Sequence, residues 1–120
     1  MERAHKQLRV WQESMRLVKL IYGLTQLLPE SEKFGLVSQM RRAAVSISSN
    51  IAEGSARQSK KESLQFYTIA RGSLSELDTQ IELCRDLELL PQNRISEVLE
   101  LLETVGALLN GLIRHKRGLS

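Results

Sequence analysis

One hundred and twenty residues with 42% apolar side chains and only two prolines make a single folded domain over 1–120, long enough for a core and too short for a second one. Seventeen basic against fourteen acidic side chains give a net charge of +3, too mild by itself to mark a polyanion-binding protein, and the lone Cys84 excludes an internal disulfide. No apolar run approaches the ~20 residues that cross a bilayer, and the opening MERAHKQLRVWQ lacks the apolar stretch of a signal peptide, so a cytoplasmic chain without a membrane partner is expected.

Hydrophobic spacing predicts four helices, at about 6–28, 36–53, 60–89 and 91–117. In the first, Leu8, Trp11, Met15, Val18, Tyr22 and Thr25 stand at helical steps as the expected buried face. Pro29 stops it, because proline cannot continue the hydrogen-bond ladder and pushes the preceding Leu28 out of helical backbone. A short link over 30–35 follows, with room for one loose turn. In the second helix Leu36, Met40, Ala43, Ala44, Ile47 and Ile51 form one apolar stripe. Arg42, Ser46, Asn50 and Glu53 lie on a polar strip, and Val45, Ser48 and Ala52 form a flank of little bulk that admits a second neighbour. Gly54 is expected to cap this helix in a left-handed conformation.

Ser59 and Glu62 make a capping-box pattern that starts the third helix near Lys60. Phe66, Ala70, Leu74, Leu77, Ile81 and Cys84 are its expected inward residues. Gly72 within it costs about 1 kcal/mol relative to alanine, which predicts a close packing contact there. Pro91 suits the first turn of the fourth helix, where Ile95, Val98, Leu99, Leu102, Val105, Leu109, Leu112 and Ile113 give the cleanest amphipathic pattern in the chain. Leu101 and Leu108 add a second apolar edge, more than one core needs, and so predict self-association. Arg114, Lys116 and Arg117 close the last turn before Gly118. Short links between four such helices predict an all-α, antiparallel up-down-up-down four-helix bundle.

The run RRAAVSISSNIAEGSAR, continued by SKKESLQFYTIARGSLSELDTQI, resembles the signature of the small four-helix-bundle proteins encoded in intervening sequences of bacterial large-subunit ribosomal RNA genes. Val10-Trp11, Ile21-Tyr22, Pro29 through Gln39 and Ile69-Ala70-Arg71-Gly72-Ser73-Leu74 extend the likeness over nearly the whole chain. The resemblance implies an RNA-associated protein and a homo-oligomer, a pentamer in relatives. An accessory subunit like those serving the reverse transcriptases of diversity-generating retroelements, which share a similar bundle and ring, is the alternative.

Antiparallel order gathers both termini and the central link at one end. Arg3, Lys6, Arg9, Arg57, Lys60, Lys61, Arg114, Lys116 and Arg117 then face only Glu2, Glu53 and Glu62, a local charge of +6 that leaves −3 elsewhere. Such an end can hold phosphates of structured RNA by counterion release without reading sequence, and a ring would multiply the contact through avidity. Ordinary solubilising charge is the competing reading. With Trp11, Tyr22 and Phe66 assigned to the core, few of the five aromatics remain as stacking platforms.

Catalytic, metal and cofactor chemistry finds little support. His5 and His115 belong to the tails, and there is no Glu-x-x-His pair, HExxH motif, cysteine cluster or phosphate-binding glycine loop. Arg42, Ser46, Asn50 and Glu53, at steps of four, four and three, make the best polar site. One reading has Ser46 and Asn50 bonded to a neighbouring helix while Arg42 and Glu53 pair with charges on it; the other is a ligand or RNA groove. Packing has the better case, since a compact bundle surrounds this helix with partners. An enzyme using the strip ranks last.

Overall fold

The structure is a computed structural model that describes residues 3–118. It contains four long helices: α1 (Arg9–Thr25), α2 (Ser38–Ser55), α3 (Lys60–Asp86) and α4 (Gln92–Lys116). Cross-helix pairs fix their directions. Early α1 meets late α2 through Ser14 and Ser48 (2.9 Å), whereas late α1 meets early α2 through Thr25 and Arg41 (2.9 Å). Between α2 and α3, Met40 lies at Cys84, Ser46 at Ser73 and Ser55 at Tyr67. The tail of α4 meets the head of α3 where Lys60 Nζ donates to the Arg117 carbonyl (3.2 Å), and Arg71 reaches Asn110 further along. Gly23 of α1 sits beside Arg94 at the head of α4. Every adjacent pair therefore runs antiparallel, in up-down-up-down order.

One core runs the length of the bundle. Leu17, Ile21, Leu24, Met40, Ile47, Ile51, Leu77, Ile81, Val105 and Leu109 are all fully buried, and each such Leu or Ile contributes about 1.5–3 kcal/mol relative to an exposed position. On α2 the predicted stripe holds at Met40, Ala43, Ala44, Ile47 and Ile51; Leu36 is only partly covered, in the turn before the helix.

Helix α1 is rotated from its expected face. Val10, Ser14, Leu17, Ile21, Leu24 and Thr25 are buried, whereas Trp11 and Val18 pack at the core margin and Tyr22 is 41% exposed. Two apolar stripes compete on this helix, and the winning one is interrupted by Ser14, whose hydroxyl bonds both the Trp11 carbonyl and Ser48. The helix also starts later than expected. A 3-10 turn over Ala4–Gln7 precedes it, and Leu8 between them is extended, its carbonyl accepting from the Gln12 amide.

The link after Pro29 forms a 3-10 turn at Glu30–Glu32 and a wide turn at Lys33–Val37, with Gly35 at φ −105°, ψ −108°. The Glu32 carboxylate accepts from the Leu36 amide and holds this turn.

Gly54 is no cap. It lies inside α2, buried, with the Tyr67 ring so close that a Cβ would stand 2.6 Å from Cε1 and 3.0 Å from the Ser63 carbonyl oxygen. The helix ends at right-handed Ala56, whose amide is shared among the carbonyls of Ala52, Glu53 and Gly54. A missing side chain here serves close approach of α2 and α3. The reverse holds at Gly72, expected at a tight contact, where an added Cβ would meet no atom within 4 Å.

Helix α3 stops at Asp86, three residues early, in a Schellman turn: the Leu89 amide bonds the Cys84 carbonyl and the Glu88 amide bonds that of Arg85. Glu88 takes the left-handed position (φ 54°) where glycine is usual, which is why no stop signal is visible in the sequence. Its inward face carries Tyr67, with Phe66 and Leu74 half-buried. On α4, Leu101 is buried within the bundle and Leu108 packs on its core. The second apolar edge is thus spent on the helix's own two neighbours, and the large side chains left in solvent lie instead on the other helices and the links.

Candidate nucleic-acid interface

The antiparallel order sets the ends of α2 and α4 beside the start of α3. Lys60 binds the Arg117 carbonyl directly and its amine lies near Gly118, whose left-handed φ of 80° turns the chain out of α4. The 3-10 turn carrying Lys6 packs on both α1 and α2, and because Ser14 already stands opposite Ser48, this turn lies against the last turn of α2. Arg3, Lys6, Arg57, Lys60, Lys61, Arg114, Lys116 and Arg117 therefore share one pole. All are exposed except half-buried Lys116. Glu53 and Glu62 are the acids there, so the pole carries +6 among the described residues. Glu2 lies outside them.

Arg9, the first residue of α1, stands at the margin of this pole. It lines a groove between α1 and α4 with Glu13, Arg16, Lys19, Glu97 and Glu100, where cations and anions balance. The opposite pole is close to balanced: Glu30, Glu32, Glu82, Asp86 and Glu88 stand there with Lys33, Arg41, Arg85 and Arg94. A bundle of 43 × 27 × 22 Å thus carries its excess positive charge at one end of its longest dimension.

Within the basic pole local contacts hold several cations. Arg57 places its guanidinium carbon 4.6 Å from the centre of the Phe66 ring and its Nη2 3.9 Å from Glu53. The Ser59 hydroxyl accepts from the Glu62 amide, the N-cap half of the predicted capping box, and donates to the Glu62 carboxylate. The partly exposed Arg–Phe pair went unseen in the sequence because a nine-residue spacing across a turn matches no helical period.

The polar strip separates into different roles. Ser46 bonds Ser73 of α3 (2.8 Å), and Asn50 Nδ2 donates to the Ser46 carbonyl and hydroxyl (2.8 and 3.0 Å). Glu53 pairs with Arg57 beyond its own helix rather than with a neighbour. Arg42 is exposed and beside Arg41, Tyr22, Val45 and Ser46 in a shallow surface groove, with no ion pair among the described residues. The expected pairing of Arg42 and Glu53 with a facing helix does not occur. Arg41, unremarked in the sequence, is the organised one: it stacks on Tyr22 (4.5 Å) while its Nε donates to Thr25.

Burial raises the pKa of the Cys84 thiol, with a smaller push from the Glu32 carboxylate. Among the described residues no cluster of three His, Cys, Asp or Glu side chains is placed to hold a metal, and no helix is long and apolar enough to cross a membrane.

These features define a small charge-polarised antiparallel bundle. The chain belongs to the 23S rRNA-intervening sequence protein family, whose family model matches residues 6–111. Its fold is similar to the crystal structure of a protein of unknown function from the S23 ribosomal protein family of Bacteroides thetaiotaomicron, with a TM-score of 0.81 and 24% identity over 88% of this chain and 98% of that one. No curated protein matches the sequence.

Proposed function

We propose that this protein is a non-enzymatic, RNA-associated binding or scaffold protein of the cytoplasm, working as a homo-oligomer and holding phosphates of structured RNA on its basic pole. The observation that carries this reading is the gathering of eight cations from four chain segments around the Lys60–Arg117 contact. Phosphate binding of this kind needs density of charge rather than defined hydrogen-bond geometry. A non-catalytic role is supported by Ser46 and Asn50, which use their hydrogen bonds on Ser73 and on each other. Self-association is supported by large apolar side chains left in solvent, among them Val45 at 41%, Leu83 at 45% and Phe34 at 88% exposure, and the pentameric form by the family resemblance.

A salt titration of binding to a structured RNA tests the proposal. Affinity should fall steeply with salt, and Lys60→Glu with Lys61→Glu should flatten the log–log slope by about 1.4–1.8, close to one for each phosphate no longer neutralised. A flat salt dependence, or no binding, overturns it. Light scattering gives the oligomer mass, and a monomer removes the avidity component.

A further inference from the structure

Next to the basic pole, α3 carries a shallow depression lined by Lys61, Leu64, Gln65, Phe66, Thr68 and Ile69. Ile69 is 51% exposed. Phe66 borders the depression and also carries Arg57 on its ring at 4.6 Å, and the Arg57 side chain is itself 42% exposed. A half-buried aromatic ring and an exposed apolar side chain lie between two cations, with an amide and a hydroxyl beside them. The geometry points to this depression as the seat of an unpaired nucleobase: the base rests on Phe66 and Ile69, its flanking phosphates meet Arg57 and Lys61, and Gln65 and Thr68 face its edge. Bases stack on aromatic and guanidinium faces without regard to sequence.

This rests on the phosphate-binding reading and names its substrate class more narrowly, as structured RNA with an unpaired nucleotide beside the duplex. The occupant is chosen by charge. A pole of +6 attracts a polyanion, so the apolar surface embedded beside it suits the one polyanion that also carries flat apolar faces.

The test uses fluorescence anisotropy at fixed salt with two labelled hairpin RNAs that share a duplex and a short single-stranded overhang, one overhang carrying bases and the other abasic. Phosphate number is the same in both. The full-length protein should bind the base-bearing RNA about tenfold more tightly, in line with the usual contribution of one stacked base. Phe66→Leu, and independently Ile69→Thr at an exposed position where folding is least at risk, should each bring the two affinities together. Lys61→Ala should weaken both RNAs alike. Equal affinity of the unaltered protein for both RNAs, with a steep salt slope, overturns the base site and leaves phosphate binding standing; no binding to either overturns both. A changed oligomer mass in Phe66→Leu or Ile69→Thr assigns the depression to contact between copies and likewise overturns it.

Discussion

Replacing Gly54 with alanine tests whether the α2–α3 contact is set by the absence of a side chain. In an unobstructed helix the change stabilises by about 1 kcal/mol. Here the new Cβ would stand 2.6 and 2.8 Å from two Tyr67 ring carbons and 3.0 Å from the Ser63 carbonyl oxygen, against an ordinary carbon–carbon separation of about 3.5–4.0 Å. Neither neighbour yields easily. Ser63 contributes backbone, and Tyr67 is 2% exposed with its hydroxyl held by Ser55 at 3.0 Å. Relief requires the helices to part by several tenths of an ångström, an overpacking cost of about 1–3 kcal/mol, and weakens a hydrogen bond worth about 1 kcal/mol. The expected outcome is a net loss of about 1–3 kcal/mol. At about 2.1 cal/mol/K per residue over 120 residues, a 2 kcal/mol loss lowers Tm by about 8 °C. Gly72→Ala is the matched control: no atom lies within 4 Å of its added Cβ, so it should raise stability by about 1 kcal/mol. Urea melts of the two variants should therefore move in opposite directions. A Gly54→Ala protein as stable as the parent would refute the packing argument.

Glu88→Gly should stabilise by about 1 kcal/mol in chemical melts, because glycine adopts the left-handed Schellman position without the Cβ penalty; unchanged stability would show that the turn carries no strain. Ser48→Ala should cost about 1 kcal/mol by removing the partner of buried Ser14, while adding Ser14→Ala should cost little more, and a double-mutant cycle measures that coupling; strict additivity would contradict it. Cys84 should react with a thiol reagent only as the protein unfolds. Because burial raises its folded-state pKa, its protonated form contributes stability that is complete below the unfolded thiol pKa, about 8.5, and is lost as pH rises from there through the folded value. Cys84→Ala should abolish that part of the alkaline loss, as read from melts across the range.

How much of this was legible depended on what each signal measures. Apolar periodicity located all four helices and most of the inward faces of α2 and α4, where bulky side chains mark one side. On α1 it chose the wrong stripe, because Trp11, Val18 and Tyr22 rival Leu17, Ile21 and Leu24 in bulk and the true face contains Ser14. Ser48 was legible as part of a flank of little bulk, whereas Ser14 and Ser63, also buried, gave no inward signal. Gly54 looked like a terminator because glycine signals both a left-handed turn and a vacancy for a neighbour's ring, and only tertiary contact separates the two. The start of α3 was marked by Ser59 and Glu62, whereas the turn at Glu88 that follows its end carried no mark. At the basic pole, charge clustering followed from topology alone, but the Arg57–Phe66 stack depends on how the link folds.

The concentration of positive charge at one end of a 43 Å body whose cross-section is only 27 × 22 Å has a consequence for posture. A molecule with this moment, drawn by a strand of negative charge, arrives standing upright rather than lying down. So oriented, it would shade only a short length of nucleic acid and leave its far end in solvent.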